Sequence, residues 1–177
     1  MRNFILIIVI VFAFDTNASE SSQDNHNEDL KKTTWGIGLA GNAYVPSGSD
    51  NDDGESFVSF SIIHEHHYDN NFSFHKKLYI GNPDNLDLSG LQLSFKAKGS
   101  LVGNLAGFGR IGANYTSVSN KSISDDNLGG GLGYVWAAGL EYDMDNGIMI
   151  SLELERYTGK KNGIELFGFN LTFGRSF

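Results

Sequence analysis

Between Gly133 and Phe177 apolar and polar residues alternate one by one through three consecutive segments, and that period of two leaves little choice of secondary structure. In the first segment Trp136, Ala138, Leu140 and Tyr142 share one face, and Ala137, Gly139 and Glu141 the other. After the break Asp143–Gly147, Ile148, Ile150, Leu152 and Leu154 oppose Met149, Ser151, Glu153 and Glu155. After Thr158–Gly163, Phe167, Phe169, Leu171, Phe173 and Phe177 oppose Gly168, Asn170, Thr172, Gly174 and Ser176. One face is continuously greasy, and the other is built of Gly, Ser, Thr, Asn and Glu. Strands patterned this way suit a transmembrane β-barrel, apolar toward lipid and polar toward the lumen.

The rest of the chain repeats the pattern. Strands are expected over about 34–45, 55–67, 72–80, 88–99 and 104–117, which with the last three makes eight. Outward positions include Trp35, Ile37, Val58, Phe60, Phe72, Leu91, Phe95 and Ile111. Lys76 stands on the apolar face of the third strand, an exception that fits a place near the membrane interface, where its long stem reaches the polar layer. Connections alternate in length. Those at 46–54, 81–87, 118–131 and 158–163 are longer or rich in Gly, Ser, Asn and Asp, while 69–71, 100–103 and 143–147 are tight. Long outer loops alternating with short periplasmic turns are the mark of an up-and-down barrel. The reading is therefore all-β: an eight-stranded antiparallel up-and-down transmembrane barrel. Its closure removes the unpaired edges that lipid cannot tolerate.

Met1–Asn3 followed by the apolar run Phe4–Phe14 and the small residues Thr16–Ala18 reads as a secretory signal peptide, residues 1–18. A polar stretch, 19–32, reads as a flexible periplasmic lead-in to a barrel domain over 33–177. The expected location is the outer membrane of a Gram-negative bacterium, after signal cleavage. The chain has no cysteine, so disulfide and thiolate chemistry are out of reach. Asp and Glu number 21 against 13 Lys and Arg, for a net charge of -8 without a basic cluster, which argues against a nucleic-acid partner.

The polar faces carry Lys96, Lys98, Arg110, Glu141, Glu153 and Glu155, joined by His75 and Lys77. Eight strands leave an interior that side chains just fill, so these charges must pair, basic residues of strands three to five with acidic ones of strands six and seven. That much inward charge disfavours the rival architecture, a soluble lipocalin-like binder with an apolar cavity. The cluster His64-Glu65-His66-His67, with His75 on the next strand, is the most enzyme-like in the chain. His64 and His66 share a strand face as metal ligands do, but the cluster lies beside a turn, where polar interfacial residues are ordinary. No metal and no cofactor are expected. Ser151 and Ser176 have no base in the sequence, and no His follows His75, so no catalytic set is expected. The run Gly129–Gly131 reads as loop slack.

Trp136-Ala-Ala-Gly-Leu-Glu-Tyr142, the tight turn, Ser151-Leu-Glu-Leu-Glu-Arg-Tyr157 and the aromatic last strand resemble the OmpA-like small outer-membrane barrels, the group that includes the opacity-protein and OmpX types. The resemblance covers Thr33–Phe177 and is strongest from Ala106 onward. It implies eight antiparallel strands and a C-terminal aromatic strand, carried by Phe173 and Phe177, that the outer-membrane assembly machinery reads. It also implies an inward network of Arg, Lys and Glu, with Arg110 and Glu141 at the family's positions on the fifth and sixth strands. The chain departs at Arg175, where the signal usually has an apolar residue, and at Ser151, where OmpA carries an inward Arg. Small barrels of this kind that modify lipid A exist, but the late His-Xaa-Ser motif of the PagL-type deacylases is missing. The expected role is structural and surface-displaying, adhesive through the outer loops, and not enzymatic. A small pore and a lipid A-modifying enzyme are the alternatives. Expected partners are outer-membrane lipid and lipopolysaccharide, the assembly machinery, and host or surface ligands met by Asp50, Asp52, Asp53, Asp125 and Asp126 of the first and third outer loops.

Overall fold

The computed structural model describes residues 32–46, 55–82, 86–120, 127–159 and 164–177. They form eight strands: β1 (Thr33–Pro46), β2 (Glu55–His67), β3 (Phe72–Gly81), β4 (Leu86–Val102), β5 (Leu105–Asn120), β6 (Asn127–Asp143), β7 (Ile148–Gly159) and β8 (Ile164–Ser176). Each strand pairs antiparallel with its sequence neighbours, and β8 returns to β1, so the sheet is a closed barrel in simple up-and-down order. The seam runs through Ile37↔Phe173 and Leu39↔Leu171. It ends in a reciprocal pair, Thr33 N–H to Phe177 O at 3.2 Å and Phe177 N–H to Thr33 O at 2.8 Å. Strands of 10 to 17 residues meet or exceed the roughly 9–11 needed to cross a bilayer when tilted.

The alternation in the sequence becomes two faces of one wall. Ile37, Phe60, Ile80, Phe95, Ile111, Leu154 and Phe169 all point outward and are exposed, while their chain neighbours are buried inside. Aromatics gather toward both rims of this apolar belt, Trp35, Phe72, Tyr142 and Phe177 near one end and Tyr115, Tyr134, Trp136 and Phe167 toward the other. Such girdles occupy the two interfaces of a membrane barrel.

Three tight turns lie at the end that also holds Thr33 and Phe177, called here the turn end. Asp69 Oδ1 accepts from the Asn71 and Phe72 amides at 2.6 and 2.7 Å, closing the β2–β3 turn. Gly103 (φ +55°) and Gly147 (φ +80°) supply the left-handed backbone at the other two. The four remaining connections join strands at the opposite, loop end.

The structure moves several expected boundaries. Residues 119–131 are not one long loop, because β5 runs to Asn120 and β6 begins at Asn127. Gly129, Gly130 and Gly131 sit in the ladder opposite Val118, Ser117 and Thr116. Glycine has no side chain to announce a strand face, yet its backbone pairs as well as any other. The β7–β8 connection shortens in the same way, since Thr158 and Gly159 pair with Glu165 and Ile164. The turn expected at 100–103 moves to Gly103–Asn104, after an irregularity between Ser100 and Val102. Residues 1–31 and the loop residues Asp50, Asp52, Asp53, Asp125 and Asp126 lie outside the described residues.

Candidate functional site

The lumen holds the polar chemistry, and it is layered along its length. Nearest the turn end, Lys98 donates to Glu141 at 2.8 Å and to Asp143 at 3.0 Å. Lys96, one inward step along β4, donates to Glu141 and to Glu65 of β2, the latter at 3.0 Å. Glu65 also accepts from the Ser73 hydroxyl at 2.5 Å, and its other oxygen lies 3.5 Å from His75 Nδ1. Lys96 Nζ stands 4.6 Å over the Phe108 ring, a cation–π contact inside the barrel. At the wall, Thr34 Oγ1 lies 2.9 Å from His67 Nε2 and 2.7 Å from Ser176 Oγ.

The middle of the lumen is organised by Arg110. Its Nε and Nη2 grip Glu153 at 2.9 and 2.8 Å in a two-pronged pair, and Nη2 also reaches Glu155. Nη1 donates to Gln92 at 3.1 Å and to Ser94 at 3.3 Å. Lys77 completes the layer, donating to Glu155 at 2.7 Å and to Asn170 Oδ1 at 3.0 Å. The two layers together set Lys77, Lys96, Lys98 and Arg110 against Glu65, Glu141, Glu153 and Glu155. Four against four balances the deeply buried ions, which a low-dielectric interior demands, while Asp143 adds a fifth carboxylate at the half-exposed turn-end rim.

Above the ions, toward the loop end, the lumen turns apolar. Phe57, Tyr79, Leu88, Val118, Val135, Tyr157 and Leu166 form one buried cluster. The Tyr79 and Tyr157 rings meet with centroids 5.2 Å apart, and the Tyr79 hydroxyl is tied to Asn114 at 3.0 Å and Thr116 at 2.7 Å. Gly90 makes room for this plug, because a Cβ there would lie 2.1 Å from the Tyr79 oxygen.

The structure thus places all six expected lumen charges, Lys96, Lys98, Arg110, Glu141, Glu153 and Glu155, together with His75 and Lys77, inside the wall. The pairs join strands three to five to strands six and seven. Glu65 of the histidine cluster joins that set, a residue not among the lumen charges expected from sequence. Its signal was the parity of β2, since Ser59, Ser61, Ile63, Glu65 and His67 are alternate residues of one face. The same parity splits the cluster through the wall, with Glu65 and His67 inward and His64 and His66 outward beside Trp35 and Tyr68. Among the described residues no group of three or more His, Cys, Asp or Glu could hold a metal ion. Lys76 sits on the outer face opposite His64 and Leu93, its Nζ 5.9 Å from the Phe74 ring centroid. Arg175 lies between Phe173 and Phe177 on that face and stacks over Phe177 at 5.5 Å.

No protein-family model matches the sequence, and no curated protein matches it. Solved structures do match the fold. The crystal structure of Neisserial surface protein A superposes with a TM-score of 0.67 at 11% identity, over 82% of this chain and 97% of that one. Ail, the attachment invasion locus protein of Yersinia pestis, gives 0.59 at 13% identity, over 83% and 99%. Ail has also been solved in complex with the heparin analogue sucrose octasulfate, with a TM-score of 0.57 at 14% identity over 83% of this chain and 99% of that one. The N-terminal β-barrel domain of Pseudomonas aeruginosa OprF gives 0.58 at 13% identity, over 80% and 96%. Identities this low speak for architecture alone. The architecture is that of the small outer-membrane β-barrels, all-antiparallel and closed.

Proposed function

We propose that the chain is a non-enzymatic outer-membrane protein of a Gram-negative bacterium, a stable barrel that displays its four loop-end connections at the cell surface for adhesion. The observation that carries this reading is the polarity of the wall, apolar and exposed outside, charged and sealed inside. A soluble ligand-carrying barrel needs the reverse, because water must wet its outer face. Among the described residues the lumen's ions are paired and its loop end is filled by Tyr79 and Tyr157, which favours display over conduction or catalysis as the barrel's work. That Ail has been solved with a sulfated saccharide analogue supports surface recognition as a role for this architecture. Asp50, Asp52, Asp53, Asp125 and Asp126 are the proposed contacts, and Phe173 and Phe177 the proposed assembly signal.

Migration of the outer-membrane fraction on SDS gels tests the reading. A band that runs faster unboiled than boiled is expected, the behaviour of a closed SDS-resistant barrel. A soluble periplasmic protein without that shift would overturn the membrane assignment. Adhesion is read separately, as loss of cell or glycan binding when the Asp50–Asp53 connection is replaced by a Gly-Ser linker of equal length.

A further inference from the structure

The outer wall is not uniformly bulky. Gly41 and Ala43 of β1 and Ala138 of β6 are small outward residues on strands joined by the bulky row of β7 and β8. Together they floor a cleft walled by Trp136, Phe167 and Phe169. Its volume is about 720 Å³, within the roughly 300–1,000 Å³ of ordinary ligand sites. The walls stay open to the surroundings, with Trp136, Phe167 and Phe169 exposed by 44%, 43% and 53%. A Cβ placed at Gly41 would meet nothing within 4 Å, so the floor there is clear space. The cleft ends at the polar rim of the belt. Arg156 stands there, stacked 5.1 Å over the Phe167 ring and donating to Glu165 at 2.7 Å.

We infer that this cleft seats one acyl chain of a lipid A molecule, with a lipid A phosphate held by Arg156. The inference rests on the membrane reading above and adds a site and a ligand to it. An amphiphile matches both parts of the site, an apolar slot and a cation at its polar end. Glu165 engages Nη2, and a guanidinium has five N–H donors in a planar fork, so Arg156 bridges a carboxylate and a phosphate at once. The phosphate must come from the leaflet at the loop end. With the longer connections facing outward, that leaflet is the lipid A one.

The test uses the full chain in detergent, incubated with lipid A or with phosphatidylglycerol and read by native mass spectrometry. Wild type is expected to keep lipid A at least about tenfold better than phosphatidylglycerol. Arg156→Gln, which removes a charge-assisted hydrogen bond, and Gly41→Leu, which fills the floor, each lower lipid A retention by about tenfold. Gly99→Leu, at another outward glycine with clear space on β4, leaves it unchanged. Equal retention of phosphatidylglycerol, no retention of either lipid by wild type, or undiminished retention in both cleft variants would overturn the site. The unboiled gel shift is recorded on the same samples. Its absence in wild type defeats the membrane reading itself, whereas its presence without lipid A defeats only the cleft. If a variant loses the shift, the wild-type comparison of the two lipids decides alone.

Discussion

The two halves of the lumen are closed by opposite chemistry. Toward the turn end the space is filled by ions that satisfy one another, Lys98 with Glu141 and Asp143, Lys96 with Glu65 and Glu141, Arg110 with Glu153 and Glu155. Toward the loop end it is filled by rings and aliphatic chains around Tyr79 and Tyr157. The first plug is strong only while complete, because deleting one ion strands its partners in a medium that cannot solvate them. The second loses only what is cut away, plus the hole left behind. A single barrel therefore has one half that fails catastrophically and one that fails gradually.

The largest expected effect breaks the ionic half. Glu141→Lys would place a third cation beside Lys96 and Lys98, and Glu65 is the one deep carboxylate left to answer them. Breaking a buried pair costs about 3–5 kcal/mol, and reversal adds repulsion to it. The temperature at which the unboiled band converts to the boiled one should fall more than for any other single change described here. An unaltered transition would mean that Glu141 does not face the lumen. Tyr157→Ala comes next, at about 3–5 kcal/mol for loss of a large buried ring. The halves then separate in planar bilayers: Tyr157→Ala should still conduct nothing, since the ionic layers below it are intact. Channels in that variant would assign the seal to the rings alone. The smallest effect is Tyr79→Phe, which keeps the ring and removes the hydroxyl shared with Asn114 and Thr116, at about 1 kcal/mol by thermal melting in detergent.

Much of this was legible in the chain because strand parity is a strict rule. Over 136–142, 148–157 and 166–173 each side chain faces as its alternation requires, and the outward or inward placing of Lys96, Arg110 and Glu153 follows from counting by twos. What failed to show had no parity contrast to give. Gly129–Gly131 carry no side chains, so a strand looked like a loop. Glu65 stands among three histidines, and a run of four polar residues has no apolar–polar contrast to mark its face of β2. The aromatic plug was hidden for another reason. Phe57, Tyr79, Tyr157 and Leu166 occupy inward positions, but apolar residues on a nominally polar face read as noise until the barrel closes and gathers them. Which cation meets which carboxylate depends on strand tilt, which periodicity does not encode.

The pairing of β1 with β8 carries a kinetic consequence. Each other pair of strands is a hairpin whose partners are joined by a short piece of chain, whereas Thr34 meets Ser176 across nearly the whole length of the domain. Closing so long a loop costs more entropy than closing any hairpin, and contacts far apart in sequence form slowly. The β1–β8 seam is thus expected to close after the seven hairpins, as the slowest of the eight pairings to form. Until that step, the Phe173 row and the Ile37 row present open hydrogen-bonding edges. A partner that binds one of those edges would govern assembly by holding the seam open and then letting it go.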